Sequence, residues 1–180
     1  MRESLPKPKA VEPHGRPERI VVLLGTITPE SIPPIMHKVL SYDADGRDPI
    51  VLQITSPGGC VSSGLALIDV IAHVRAPVFT IGIGMVASMG AIILACGHPG
   101  HRYTLPHTRI MLHGVSGNSF GKLDEVQSAM RLHRSLEAEV EELLLERLTI
   151  SRIQLRRLLR QERFLSAWEA TQMGVIDHIL

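Results

Sequence analysis

Three apolar segments, each followed by a stretch with helical spacing, constrain this chain most. Residues 19–25 (Arg-Ile-Val-Val-Leu-Leu-Gly), 49–55 and 77–84 are rich in β-branched residues and run almost continuously apolar. Such runs read as strands buried on both faces of a sheet. Between the first two, Ile32, Ile35, Val39 and Leu40 recur at helical spacing. Thr28 or Ser31 can cap that helix, and Pro33 and Pro34 are tolerable only in its first turn. A polar turn over 43–48 precedes the second strand. Residues 60–74 read as a second helix through Leu65, Ile68 and Ala72. Residues 87–96 read as a small-residue, fully buried helix that Gly97-His98-Pro99-Gly100 ends. Strand alternating with helix predicts a parallel sheet with helices on both faces.

The rest of the chain adds shorter pieces. Residues 101–104 and 109–113 read as two extended segments around Pro106, and a long helix is expected over about 122–148. Ser151 with Gln154, and Ser166 with Glu169, look like capping boxes that open two further helices. Residues 1–18 carry Pro6, Pro8, Pro13 and Pro17 among mixed charges and read as a flexible tail. Residues 19–180 are then expected to form one domain. No internal repeat or low-complexity tract is visible.

Composition removes several classes of function. Nineteen basic against eighteen acidic residues leave a net charge of +1, so no global field favours nucleic acid or an anionic membrane. Aromatic residues are 3% of the chain, too few for a base-stacking platform. The start lacks the apolar core of a secretory signal, and no apolar run is long enough to span a bilayer. The expected setting is a reducing cytoplasm. The two cysteines, Cys60 and Cys96, form no Cys-x-x-Cys, and no His-x-x-x-His occurs, so no metal site is expected.

In a parallel sheet, sites form where strands end and helices begin. Two such junctions here are rich in glycine: residues 56–59 and 84–90. Ser88, at the second, can present a hydroxyl beside free helix N–H groups that favour an oxyanion. Its bland alternative is a helix N-cap, which this segment alone favours. Val86 also breaks the Gly-x-Ser-x-Gly elbow. Gly58-Gly59 can offer a backbone N–H to a carbonyl oxygen or be an ordinary turn. It matches no phosphate-binding fingerprint, so no nucleotide site is expected. A histidine is the natural base for a serine. His113 ends an apolar segment just before a glycine-rich loop, but His98, His101 and His107 are rivals that spacing does not separate. The long helix carries acids and arginines that read as a solvated face, and its leucines can pack on the sheet or on another subunit. The arginines from 152 to 163 read as surface pairing rather than an RNA patch.

Taken together, the segments Ile54-Thr55-Ser56-Pro57-Gly58-Gly59, Ala87-Ser88-Met89-Gly90-Ala91, residues 105–113, Arg163-Phe164-Leu165-Ser166 and Gly174-Val175-Ile176-Asp177 resemble the proteolytic subunit of the caseinolytic (Clp) protease. They stand in that family's order and near its spacing over residues 19–180. The resemblance implies a crotonase-like α/β spiral of parallel strands and helices with a protruding long handle helix. It implies Ser88 as nucleophile, His113 as general base, and Gly59 and Met89 as the oxyanion-hole donors. It implies self-assembly into heptameric rings stacked in pairs, unfolded polypeptide substrates and an AAA+ ATPase that feeds them. ATP would be used by that partner, and no cofactor is expected in this subunit. Nucleic acid and membrane are not expected partners.

The chain departs from the family pattern in several places. Glu162 occupies the position of the usual third triad member, an aspartate. A glutamate is one methylene longer but can orient a histidine. Asp124 is a substitute acid if the handle folds over the site. Arg160-Gln161 replaces the pair linked to ring stacking, and Gly114-Val115 replaces Gln-Pro. The N-terminal motif that forms axial loops has no counterpart here. A weakly active or regulatory subunit, co-assembling with an active paralogous proteolytic subunit, is therefore a second expectation. An acyl-CoA enzyme of crotonase type and a membrane peptidase with a Ser-Lys dyad are disfavoured.

Overall fold

The chain is described by a computed structural model over residues 19–117 and 120–180. The proline-rich segment 1–18, read above as a tail, lies outside the described residues. The first half alternates strand and helix as its apolar spacing predicts: β1 (Ile20–Leu24), α1 (Ile32–Asp45), β2 (Ile50–Ser56), α2 (Val61–His73), β3 (Val78–Ala87) and α3 (Met89–Ala95). Then come β4 (Arg102–Thr104), β5 (Arg109–Met111), α4 (Leu123–Arg147), α5 (Arg152–Gln161), β6 (Phe164–Ser166), α6 (Ala167–Gln172) and β7 (His178–Ile179).

The sheet runs β1-β2-β3-β4-β7, all parallel, and forks at β3. Residues 80–82 of β3 pair with β4, whereas residues 85–87 pair with β5. Gly84 sits between these halves at φ 69, a conformation that a glycine adopts without strain. The β2–β3 register shifts between Ile54 and Ser56, beside this bend. The Gly82 carbonyl accepts from Thr104 Oγ1 at 3.1 Å and Thr108 Oγ1 at 3.2 Å, which staples both branches to the fork. β3 is therefore longer than its apolar run, and it carries the chain directly into residue 88. The helix read from residue 87 starts at Met89 instead.

One apolar core unites the sheet with the helices. All seven residues of α3 are buried, as a helix apolar on every side must be. α2 meets it at Gly64, where a Cβ would stand 2.2 Å from Met89 Cγ. The expectation of helices on both faces fails at β1. Val21 and Leu23 are 1% exposed, but Val22 and Leu24 are 53% and 72% exposed. A continuous apolar run reads as burial on both faces, and within this single chain only one face of β1 is covered.

α4 is the long helix expected, and it stands off the body. Of its 25 residues only Val140 and Leu144 are buried, while Leu123 and Leu132 are exposed. Both capping boxes form: Ser151 and Gln154 open α5, and Ser166 and Glu169 open α6. Arg102 ties the end of the chain to the core. Its guanidinium meets Asp177 at 2.6 Å and donates to the carbonyls of Gly174, Arg147 and Ala95. Among the described residues, no helix is long and apolar enough to cross a membrane.

Candidate active site

Ser88 occupies the single residue between β3 and α3, at φ 54 and ψ −129. A residue with a side chain adopts that backbone only under strain. The strain has a local cause. Ser88 N–H donates to the Met111 carbonyl at 2.8 Å as the last bond of the β3–β5 ladder, while its own carbonyl accepts from Ala91 at 2.9 Å and Ile92 at 3.2 Å as the first acceptor of α3. One residue must leave the strand and open the helix. Its hydroxyl makes no capping bond. Instead Ser88 Oγ lies 2.7 Å from His113 Nε2. Ser88 thus stands at the N-cap position of α3, but its hydroxyl pairs with His113 instead of capping the helix.

β5 delivers His113 to that point. The strand pairs with the end of β3, so the chain leaves Met111 beside Ala87 and reaches the serine two residues later. The rival histidines lie elsewhere. His101 stacks on Phe79 with ring centroids 4.0 Å apart and bonds Tyr103, and His98 adjoins the same group. Burial, and then the neighbouring His98 and His178, hold the His101 pKa below its usual value. His107 is exposed between β4 and β5.

The Gly58-Gly59 turn approaches the serine from β2. A Cβ at residue 58 would fall 2.5 Å from Ser88 Cβ, so only glycine admits this contact. Gly59 bridges to Ile27 in parallel fashion, through Ile27 N–H to the Gly58 carbonyl and Cys60 N–H to the Ile27 carbonyl, both at 2.8 Å. That pattern leaves the Gly59 N–H facing away from Ile27. Met89 is the first residue of α3, so its N–H has no acceptor within the helix. Buried Ser56, which the sequence reading passed over, accepts from Gly58 N–H at 3.0 Å and shapes the turn. Nothing in the sequence pattern separates that serine from an ordinary loop residue.

Gly59, Ser88, Met89 and His113 share one open cleft of about 260 Å³. Val61, Ile92, Val115 and Val140 make its apolar wall, and Val140 comes from the handle. None of the four is assigned to the site by sequence alone, because each looks like any core aliphatic until the chain folds.

Glu162 ends α5 at φ 48, in the left-handed region. Ser88 and Glu162 are the two residues other than glycine with positive φ among the described residues. β5 and β6 pair antiparallel, with Ile110 opposite Leu165 and Met111 opposite Phe164. Two further steps along that register put residue 162 opposite His113. The regular ladder stops before reaching them. Gly114 N–H turns instead to the Leu159 carbonyl at 3.2 Å, and no hydrogen bond joins Glu162 to His113 among the described residues. Asp124 lies in the first turn of α4, 16 residues before Val140, which is about 24 Å along a helix. That puts it far from the cleft.

Cys60 opens α2, where a hydrogen bond from the Ser63 side chain and then the local N–H groups lower its pKa. Burial pushes the Cys96 thiol up to about 12. No group of three or more metal-ligating side chains occurs among the described residues.

A forked parallel sheet, flanked by helices and extended by a handle, is the crotonase-like fold known for one group of peptidases. The family model described as Clp protease matches residues 15–180, and the chain belongs to that family. It is thus a peptidase subunit of a Clp protease.

Proposed function

We propose that the chain is a serine endopeptidase subunit that cleaves unfolded polypeptides inside a ring assembly. The observation that carries this reading is the 2.7 Å contact between Ser88 Oγ and His113 Nε2. Ser88 Oγ attacks the peptide carbonyl as His113 Nε2 takes its proton. The N–H groups of Gly59 and Met89 receive the oxyanion, His113 protonates the leaving amine, and water then releases the acyl group. Glu162 holds the other ring nitrogen once its side chain turns toward His113. Residues 19–180 act as one domain, assembled with copies of itself in heptameric rings stacked in pairs and fed by an AAA+ ATPase. Intact mass after treatment with a fluorophosphonate tests the chemistry. One adduct per chain is expected, and none on Ser88→Ala. An adduct retained in that variant refutes the assignment.

The missing bond between Glu162 and His113 favours a second reading, a regulatory subunit that gains full activity beside an active paralogue. Fluorophosphonate labelling that rises only on adding such a subunit would support it over the first.

A further inference from the structure

One charged surface is not absorbed by the catalytic reading. α5 (Arg152–Gln161) contains four arginines and no acid. Arg152 is neutralised by Glu141 and Glu142, and Arg156 by Glu141. Arg157 and Arg160 have no ion-pair partner among the described residues. They share a helix face with Ile153, since positions 153, 157 and 160 follow the i, i+4, i+7 spacing. Ile153 is 83% exposed. Arg156 and Arg160 also stand four residues apart, a like-charge spacing that works against a helix. An isolated chain gains nothing from such a face.

Two grooves flank it. One, of about 390 Å³, runs along Ile153, Arg156, Arg157 and Arg160. The other, of about 480 Å³, runs along Arg157, Arg163 and the apolar side chains of Ile150, Leu158 and Met173. Arg157 and Gln161 form the ridge between them.

We propose that this face captures acidic, apolar-interspersed stretches of the polypeptide being degraded. The inference rests on the peptidase reading for its substrate and deepens it by naming a charge class. Alternating guanidinium and aliphatic groups match a segment that alternates carboxylates with apolar side chains. A continuous phosphate backbone fits less well, since it offers no apolar groups to meet Ile153, Leu158 and Met173.

Binding is read on full-length Ser88→Ala protein, by fluorescence anisotropy of a fluorescein-labelled peptide carrying Glu-Leu-Glu-Val. The control is the same peptide with glutamine for glutamate. The acidic peptide should bind about tenfold more tightly at low salt, and the gap should close near about 0.5 M salt. Arg157→Gln with Arg160→Gln should abolish the gap. Equal binding of the two peptides overturns the proposal. So does tighter binding of an oligonucleotide of equal charge. A changed oligomeric state in the double variant with the peptide preference intact also overturns it, since the face would then be a subunit contact. Preferential binding of the acidic peptide without hydrolysis by the unmutated protein supports the capture face and overturns the peptidase reading alone.

Discussion

Gly58 packs against Ser88 so closely that a Cβ on residue 58 would lie 2.5 Å from the serine Cβ and 2.9 Å from the Ala87 carbonyl. The turn that ends β2 and the elbow that ends β3 therefore set each other's position. Because Gly58 also adopts φ 97, alanine there meets both a clash and a strained backbone. Gly58→Ala should cost about 1–3 kcal/mol of stability and lower Tm by several degrees. It should also slow fluorophosphonate labelling, by moving Ser88 off His113. Calorimetry together with labelling rates checks this. A variant with unchanged Tm and labelling would show that the turn has room to give.

The Ser88 backbone is testable apart from its hydroxyl. Ser88→Ala and Ser88→Gly both remove Oγ and its bond to His113, so both should be inert. They differ in whether residue 88 tolerates φ 54. Ser88→Gly should be the more stable of the two by about 1–2 kcal/mol, despite glycine's greater freedom in the unfolded chain. Urea unfolding of the pair measures the difference directly. Equal stabilities would mean that the elbow stores no strain.

Much of this geometry is legible in the sequence, and the boundary of what is legible has physical causes. The strands and helices through residue 96 show their apolar spacing, and the capping boxes at Ser151 and Ser166 carry their own chemistry. Ser88 is visible as a junction residue, but whether its hydroxyl caps the helix or meets a histidine depends on where His113 arrives. That in turn depends on the fork in β3, which pairs residues 80–82 and 85–87 with different partners. A pairing of this kind is non-local and leaves no periodicity. The exposed face of β1 is hidden for a related reason, since an apolar run is the same whether helices or another molecule cover it.

Arg102 and Asp177 make a largely buried ion pair that secures the C-terminal strand. Burial raises the Asp177 pKa, but the Arg102 side-chain and backbone hydrogen bonds and its charge outweigh that, and the net pKa lies below the usual carboxylate value. A depressed folded pKa stabilises the protein above the unfolded pKa, near 4, and that contribution disappears as pH falls through the folded value. Asp177→Asn should cost about 3 kcal/mol at neutral pH. The gap between the two proteins should narrow only below about pH 4. Denaturation midpoints from pH 7 down to the lowest pH that keeps the native fold would trace it. A gap that closes already at pH 6 would implicate a histidine instead.

Glu162 supplies the sharpest test of the site, because its backbone and side chain make opposite demands. At φ 48 the residue closes α5 in a conformation that suits glycine, and its exposed carboxylate gains no hydrogen bond among the described residues. Judged as a helix terminus, glutamate is a poor choice. Glu162→Gly should therefore stabilise the protein by about 1 kcal/mol. If the carboxylate serves His113, the same change should slow fluorophosphonate labelling by about a hundredfold or more, since the imidazolium would lose its counter-charge. Glu162→Asp keeps the charge and shortens the reach, and should retain more of the labelling rate than Glu162→Gly. A Glu162→Gly protein that is both more stable and fully reactive would remove Glu162 from the site and leave a serine–histidine dyad.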